Sequence, residues 1–309
     1  MMRFCTLFDR HFLHRGLALY ASCREHCGDD FRLSILCLDN ETLLMLRALA
    51  LPHTTLLTIH DLGDSEISAL RDTRSRASFA WGVKPSLFLY LMRTLGDGEG
   101  LTYLDSDMFF FGNPRKLYDS LADVSIAITP HQFSPPNPKK EYEVGVYNAG
   151  WIYLHKDAVS RTALERWRTQ CIARCPDRYE NGAFGDQRYL NEWPERYGAR
   201  VLADRGVNIG PWNLSGKRLY KESGALLIEG RPLICYHFHT LKTYFNRKGT
   251  VTGYPVSMRN SLLYRPYVAA LNAAVERIHA ADPSFAVAAD PKPDALRLLK
   301  QEFFRLVHA

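Results

Sequence analysis

Two aspartates one residue apart, Asp105 and Asp107, close the apolar run in LTYLDSDMFFFG, residues 101–112. Like charges at the edge of a buried strand repel each other and resist leaving water, so the pair needs a compensating partner. A divalent cation is the partner best suited to hard carboxylate oxygens, and magnesium or manganese also leaves room for substrate phosphates. In an extended backbone residues i and i+2 face one side, which would aim Asp105 and Asp107 at one target and turn Ser106 away. The plain alternative is a solvated turn in which one aspartate caps the adjoining backbone.

Other residues carry compatible chemistry. YHFHTLK holds His237 and His239 at i,i+2 spacing, so either imidazole can compete for a place on the cation, and manganese accepts nitrogen more readily than magnesium does. Lys242 follows as a point charge for a phosphate oxygen, or as a solvated lysine. Asn148 stands in YNAG, where small Ala149 and Gly150 let the backbone approach a ligand and the amide can both donate and accept; a turn asparagine is the alternative. Asp186 and Gln187 open a helix after GAFG, where a carboxylate can simply be an N-cap. GVNIGPWNL offers Trp212 as an aromatic plate, with Asn208 and Asn213 as hydrogen-bonding partners, or else a hydrophobic plug. Trp81 and Lys84 lie in WGVKPSLFLYLM, ahead of the aspartate pair.

These residues need a scaffold that brings strand ends together. Residues 3–8, FRLSILCLD, TTLLTIHDL and GLTYLDSDMFFF read as strands, separated by helical segments at about 14–27, at NETLLMLRAL with Asn40 as its cap, after Ser65, and at KPSLFLYLMRTL. The alternation predicts an α/β fold with a mostly parallel central sheet and helices on both faces. In open sheets of this type ligands sit beyond the carboxyl ends of the strands, where the aspartate pair falls. VSIAITP, VYNAGWIYLH and RPLICYHFHT read as later strands, HQFSPPNPKKEYEVG as a loop, and residues 157–175 as a helix with Asp157 at its positive end. Two C-terminal helices are expected, near 257–280 and 294–308.

With these segments in view, YLDSDMFF resembles the D-x-D strand of GT-A-fold glycosyltransferases, and is most similar to glycosyltransferase family 8 and related bacterial nucleotide-diphospho-sugar transferases. Four further segments fall in matching order: WGVKPSLFLYLM, YNAGWIYL, GDQRYLNEW and YHFHTLK. The resemblance spans roughly residues 3–245. It implies a metal-dependent transfer of a sugar from a nucleoside-diphosphate sugar, with uridine as base and retention of configuration, to a glycan or lipid-linked acceptor. It further implies that Asp105, Asp107 and a late histidine hold Mn2+ or Mg2+, and that Asp186 and Gln187 lie by the reacting carbon. Trp81, Lys84, Ser106, Asn148, Asn208, Trp212 and Lys242 would bind the donor. The chain departs from the family's H-F-x-G-x-x-K pattern: HFHTLK lacks the glycine and has its lysine one place early, which leaves His237 and His239 both open as ligands.

Composition bounds the alternatives. The chain has 309 residues, 46% of them apolar, and a net charge of +6 without a dense basic block, which does not suggest nucleic acid as a partner. No apolar stretch approaches the roughly 20 residues of a membrane span, and the start lacks a signal peptide's apolar core. A cytoplasmic protein with seven reduced core thiols is expected. In the tail, Leu296, Leu299, Phe303 and Leu306 form a stripe among Arg297, Lys300 and Arg305, which suits peripheral contact with the inner face of a membrane or packing on the domain. The expected division is a transferase domain over 1–255 and a helical extension over 256–309. The rival readings are a haloacid-dehalogenase-like phosphohydrolase using Asp105 and Asp107, and a non-catalytic nucleotide- or carbohydrate-binding protein.

Overall fold

The computed structural model describes residues 1–203, 206–245, 251–254 and 261–289. The chain opens with β1 (Met2–Phe8), α1 (Leu13–Cys27), β2 (Phe31–Cys37), α2 (Asn40–Leu49), β3 (Thr54–Thr58) and a 3-10 turn (His60–Leu62). Three helices come next, α3 (Ser65–Ala69), α4 (Arg76–Gly82) and α5 (Lys84–Met92), then β4 (Gly100–Leu104), β5 (Met108–Phe110) and α6 (Arg115–Asp119). After these lie β6 (Ile126–Pro130), α7 (Pro138–Val144), β7 (Tyr147–His155), α8 (Ala158–Ala173), a 3-10 turn (Gln187–Glu192), α9 (Trp193–Tyr197) and β8 (Arg200–Val201). Two hairpin partners β9 (Leu219–Glu222) and β10 (Ala225–Ile228), then β11 (Arg231–Pro232), β12 (Cys235–His237), β13 (Lys242–Phe245), β14 (Val251–Tyr254) and α10 (Ser261–Ala281), complete the described elements.

Seven strands form the central sheet in the order β3-β2-β1-β4-β7-β6-β8. β3, β2, β1 and β4 are parallel to one another, and β7 runs antiparallel to both β4 and β6. Alternation along β1 explains the two-sided core. Phe4 and Phe8 face one layer with Leu17 of α1 and Leu46 of α2, while Cys5 and Leu7 face the other with Phe88 of α5 and Trp167 of α8. The sheet is therefore covered on both faces, as the strand–helix alternation predicts.

Local details depart from the sequence reading. The cap of α2 is Asp39, whose carboxylate accepts from the Thr42 amide, because Asn40 already has helical geometry. The stretch expected as a loop folds into α7, capped by Asn137, with Pro138 at a position that needs no amide donor. The fourth strand is interrupted: β4 ends at Leu104, and β5 leaves the sheet to pair antiparallel with β12. RPLICYHFHT likewise splits, β11 joining β10 and β12 joining β5. All seven cysteines are buried free thiols.

The first of the expected C-terminal helices is α10. It packs its buried Leu263, Tyr267 and Leu271 onto Phe109, Tyr236 and Phe238 of the β5–β12 region, with the Tyr267 ring stacked 3.8 Å from Phe238. The expected helix at 294–308, and with it the basic apolar stripe, lies outside the described residues. No helix among the described residues is long and apolar enough to cross a membrane.

Candidate functional site

Strand direction builds the site. β1 and β4 point their carboxyl ends to one rim of the sheet, and antiparallel β7 delivers its first residues, Asn148 to Gly150, to the same rim. The Asp105 amide donates to Gly150 O at 2.8 Å, the last tie between the main sheet and the aspartates. The chain then turns, with Met108 N donating to Asp105 O at 3.0 Å. Asp105 and Asp107 thus sit in a turn and not on one extended strand, and Ser106 is buried between them along a cavity wall. Beyond the turn, Met108 lies opposite His237, and Phe238 N donates to Asp107 O at 2.9 Å. That pairing carries the late histidine back to the aspartates.

His237 Nε2 lies 3.0 Å from Asp107 Oδ1 and 3.7 Å from Asp105 Oδ2. One ligand atom each from Asp107, His237 and His239 fall within 4.8 Å of one another, a donor set of one carboxylate oxygen and two imidazole nitrogens that can hold a divalent cation. His239 lies past the end of β12, so it joins the group through the turn and not through strand alternation. Burial penalises the Asp107 carboxylate, yet the facing His237 outweighs it and holds the group well below the usual carboxylate range. Burial likewise lowers His237, and Asp107 more than reverses that, so the imidazole titrates above its ordinary value.

Asp105 has a second partner. Lys84, fully buried at the start of α5, places Nζ 3.1 Å from Asp105 Oδ1 and 3.1 Å from Asp186 Oδ2, and donates to Ala149 O at 3.3 Å. The Tyr103 hydroxyl donates to the same Asp105 Oδ1 at 2.9 Å. Burial works against the ammonium, but the two carboxylates outweigh it and keep Lys84 charged. Asp186 responds the other way. Burial pushes its carboxyl up to about 6, more than Lys84 pulls it down, with Asp105 adding to the rise. Asp186 makes no capping bond to the 3-10 turn that it precedes, which removes the helix-cap reading of this residue.

A chain of amides and imidazoles runs behind this cluster. His131 Nδ1 faces Gly145 O at 2.9 Å, and its Nε2 faces Asn148 Nδ2 at 3.3 Å. Asn148 Nδ2 also points to Gln187 Oε1 at 3.4 Å, and Gln187 Nε2 donates to Val144 O at 2.9 Å. Asn148 Oδ1 accepts from Gly150 N and from Asn208 Nδ2, each at 2.9 Å. Asn208 Nδ2 also donates to Thr129 Oγ1 at 2.7 Å, and Asn208 Oδ1 faces His237 Nδ1 at 2.9 Å. Asn208 is therefore enclosed, with its amide committed to protein partners, and it lines neither cavity; the expectation that it touches the donor gives way to a place behind His237.

Two cavities meet over the cluster. One, about 540 Å³, runs along Asp9, Phe12, Arg15, Arg76 and Ser106 at the ends of β1 and β4, and includes Lys242. The other, about 480 Å³, is walled by Phe133, Asn148, Phe184, Asp186, Gln187 and Trp212. Trp81, Lys84, Asp105, His237, His239 and Thr240 border both. The Trp212 ring stands edge-on to His237 at 5.3 Å and to His239 at 5.8 Å, and Asn213 turns inward to bond His131 O and the Gly210 amide.

Three contributors escaped the sequence reading. His131 directly succeeds β6, and the same strand-end rule that flags Asp105 would have found it; burial lowers its pKa to about 3, so it stays neutral. Tyr103 carried no signal beyond strand propensity. Arg15 sits buried near the start of α1, donates to Leu241 O at 2.9 Å and adds positive charge near Asp107.

No protein-family model matches the chain. It is 28% identical over 295 residues to the uncharacterized protein YfnD of Bacillus subtilis strain 168, covering 94% of both chains. It is 29% identical over 243 residues to the uncharacterized protein YfnF of the same organism, covering 76% of this chain and 80% of that one. Among solved structures, the galactosyltransferase LgtC in complex with donor and acceptor sugar analogs aligns over 96% of this chain and 99% of its own, with a TM-score of 0.56 and 12% identity. The bifunctional glycosyltransferase WbbM aligns over 92% of this chain and 52% of its own (TM-score 0.54, 14% identity). The glycosyltransferase GlyE of Streptococcus pneumoniae TIGR4 aligns over 89% and 63% (TM-score 0.52, 14% identity). The α/β architecture described above is thus the GT-A fold.

Proposed function

We propose that this GT-A-fold chain is a metal-dependent glycosyltransferase, similar to family 8, that moves a sugar from a nucleoside-diphosphate sugar to a glycan or lipid-linked acceptor. The observation that carries the reading is the gathering of Asp105, Asp107, His237 and His239 at the rim of the sheet where two cavities meet. The donor set fits Mn2+, or Mg2+ with fewer nitrogen contacts, held by Asp107, His237 and His239 with Asp105 beside them. When bound, the cation would supply charge neutralisation for a departing diphosphate.

The remaining roles belong to this chain's own groups. The cavity along Asp9, Phe12 and Ser106 takes the nucleoside, and Lys242 stands at its wall toward the phosphates. Trp81 separates that cavity from the one that takes the sugar. There Asp186, Asn148 and Gln187 bind hydroxyls, with Trp212 as a stacking surface for an apolar ring face. Lys84 keeps Asp105 and Asp186 apart in role: one stays by the cation, the other faces the sugar. Residues 1–255 make the transferase domain on this reading and 256–309 a helical extension, whose α10 packs on that domain.

The phosphohydrolase reading needs an Asp105 oxygen free for in-line attack. Oδ1 is taken by Tyr103 and Lys84, and Oδ2 faces His237, so the geometry favours the transferase. Calorimetric titration with uridine diphosphate decides the matter. Saturable binding is expected with Mn2+ and not without it, and Asp107→Ala should weaken it at least about 100-fold, the loss of one charged metal ligand being worth more than an ordinary hydrogen bond. Equal binding by parent and variant would reject the proposal.

A further inference from the structure

The chain from Asp282 to Ala289 follows α10 and forms neither helix nor strand, yet its course is fixed at three places. The first is a reversal at the helix end. Asp282 N still donates to Ile278 O at 2.8 Å, and Phe285 N donates to Asp282 O at 3.1 Å. The Asp282 carboxylate accepts from Ser284 N at 2.9 Å and from Ser284 Oγ at 2.6 Å. An aspartate that bonds the backbone two residues on, with a proline between, stops a helix and turns the chain.

The second place is apolar. Phe285 and Val287, two residues apart, both pack against the core layer that holds α1 and α2, and Val287 also meets the cluster around Phe238 and Tyr267. The third is polar: Arg10, in the connection between β1 and α1, donates from Nη2 to Ala286 O at 3.3 Å. These ties bring the segment to the carboxyl end of β1. Ala288 and Ala289 stand there in the wall of the larger cavity, with Asp9, His11, Phe12 and Arg76, and neither borders the smaller one.

We propose that the segment after α10 is part of the nucleotide site, and that Ala288 and Ala289 form a wall against which the nucleoside rests. The inference rests on the function proposed above. It gives to the donor site a stretch of chain that the division at 255 sets apart from the transferase domain. Alanine suits such a wall because its side chain ends at Cβ, which offers apolar contact and leaves the cavity open. A bulky side chain at either position would compete with the ligand for the same space.

Labelling of Ala289→Cys tests the placement directly, since Ala289 is exposed and the seven natural cysteines are buried. A maleimide should modify the introduced thiol in the free protein. Mn2+ with saturating uridine diphosphate should slow that reaction at least about tenfold, because the occupied state shields the wall, whereas Mn2+ with pyrophosphate should leave it unchanged. Labelling at the free rate in protein that calorimetry shows to be saturated overturns the inference and leaves the function proposal standing. A protein that binds no uridine diphosphate at all overturns both.

Ala288→Trp and Ala289→Trp supply the converse test. Each should bind uridine diphosphate at least about tenfold more weakly, the effect of a clash built against a ligand, and should bind pyrophosphate with Mn2+ as the parent does. A misfolded variant would lose both ligands, so the preserved pyrophosphate binding shows that the site is intact. Parental affinity for uridine diphosphate in both variants overturns the inference. So does an equal loss of the two ligands in variants that melt at the parental temperature, since the segment would then act on the phosphate end.

Discussion

At the scale of single residues, the site separates two carboxylates by their surroundings. Asp107 faces an imidazole and stays ionised, whereas Asp186 is enclosed beside one shared ammonium and titrates near 6. A carboxyl whose folded value lies above its unfolded one weakens the fold as pH climbs from about 4 through about 6, because its charged form is the less welcome inside. Binding has the opposite sign if Asp186 accepts hydrogen bonds from sugar hydroxyls, since only the ionised carboxyl accepts with all its lone pairs. Affinity for a nucleotide sugar should therefore rise with pH through about 6 more steeply than affinity for the bare nucleoside diphosphate, whose own rise reflects only the release of the His237 proton to the cation. Asp186→Asn should flatten that rise and cost the sugar nucleotide about 10–100-fold, the worth of a hydrogen bond to a charged group. Calorimetry at pH 5, 6 and 7 with both ligands checks this; parallel profiles for the two ligands would remove Asp186 from the sugar pocket.

At the scale of elements, the supports are as informative as the ligands. α10 stacks Tyr267 on Phe238, one residue past His237, so a helix remote in sequence holds up the floor of the site. Tyr267→Ala should cost about 3–5 kcal/mol in urea denaturation, as expected for truncating a buried aromatic side chain; a loss under about 1 kcal/mol would mean that the helix is only loosely attached. This support was only partly legible in the sequence. The helix itself is foreseen, but its docking partner depends on β5 leaving the main sheet, and pairings of high sequence separation leave no local mark. The aspartate pair was readable because strand ends and like charges are local features. The backbone there was misread as extended, since nothing local distinguishes a strand that continues from one that turns and changes partner. α7 was hidden by the prolines in and just before it, of which Pro138 occupies the first helical turn, where a missing amide does no harm. The enclosure of Asn208 left no mark in the sequence, because burial of a loop amide is a tertiary property.

At the scale of the whole molecule, the interruption between β4 and β5 ties the two aspartates to different bodies. Asp105 hangs from the seven-stranded sheet through Gly150, and Asp107 from the two-stranded ribbon through Phe238. Any ion gripped by both carboxylates is therefore a rivet between the two layers. Amide hydrogens in 108–110 and 235–237 should exchange at least about tenfold more slowly once Mn2+ and uridine diphosphate are added, because ligand binding opposes every opening that parts the layers. Unchanged exchange in the ribbon would place the ion on one side alone. On the function proposed above, a rivet set across a seam loosens when the seam slips, which would tie release of the nucleotide to motion of the ribbon.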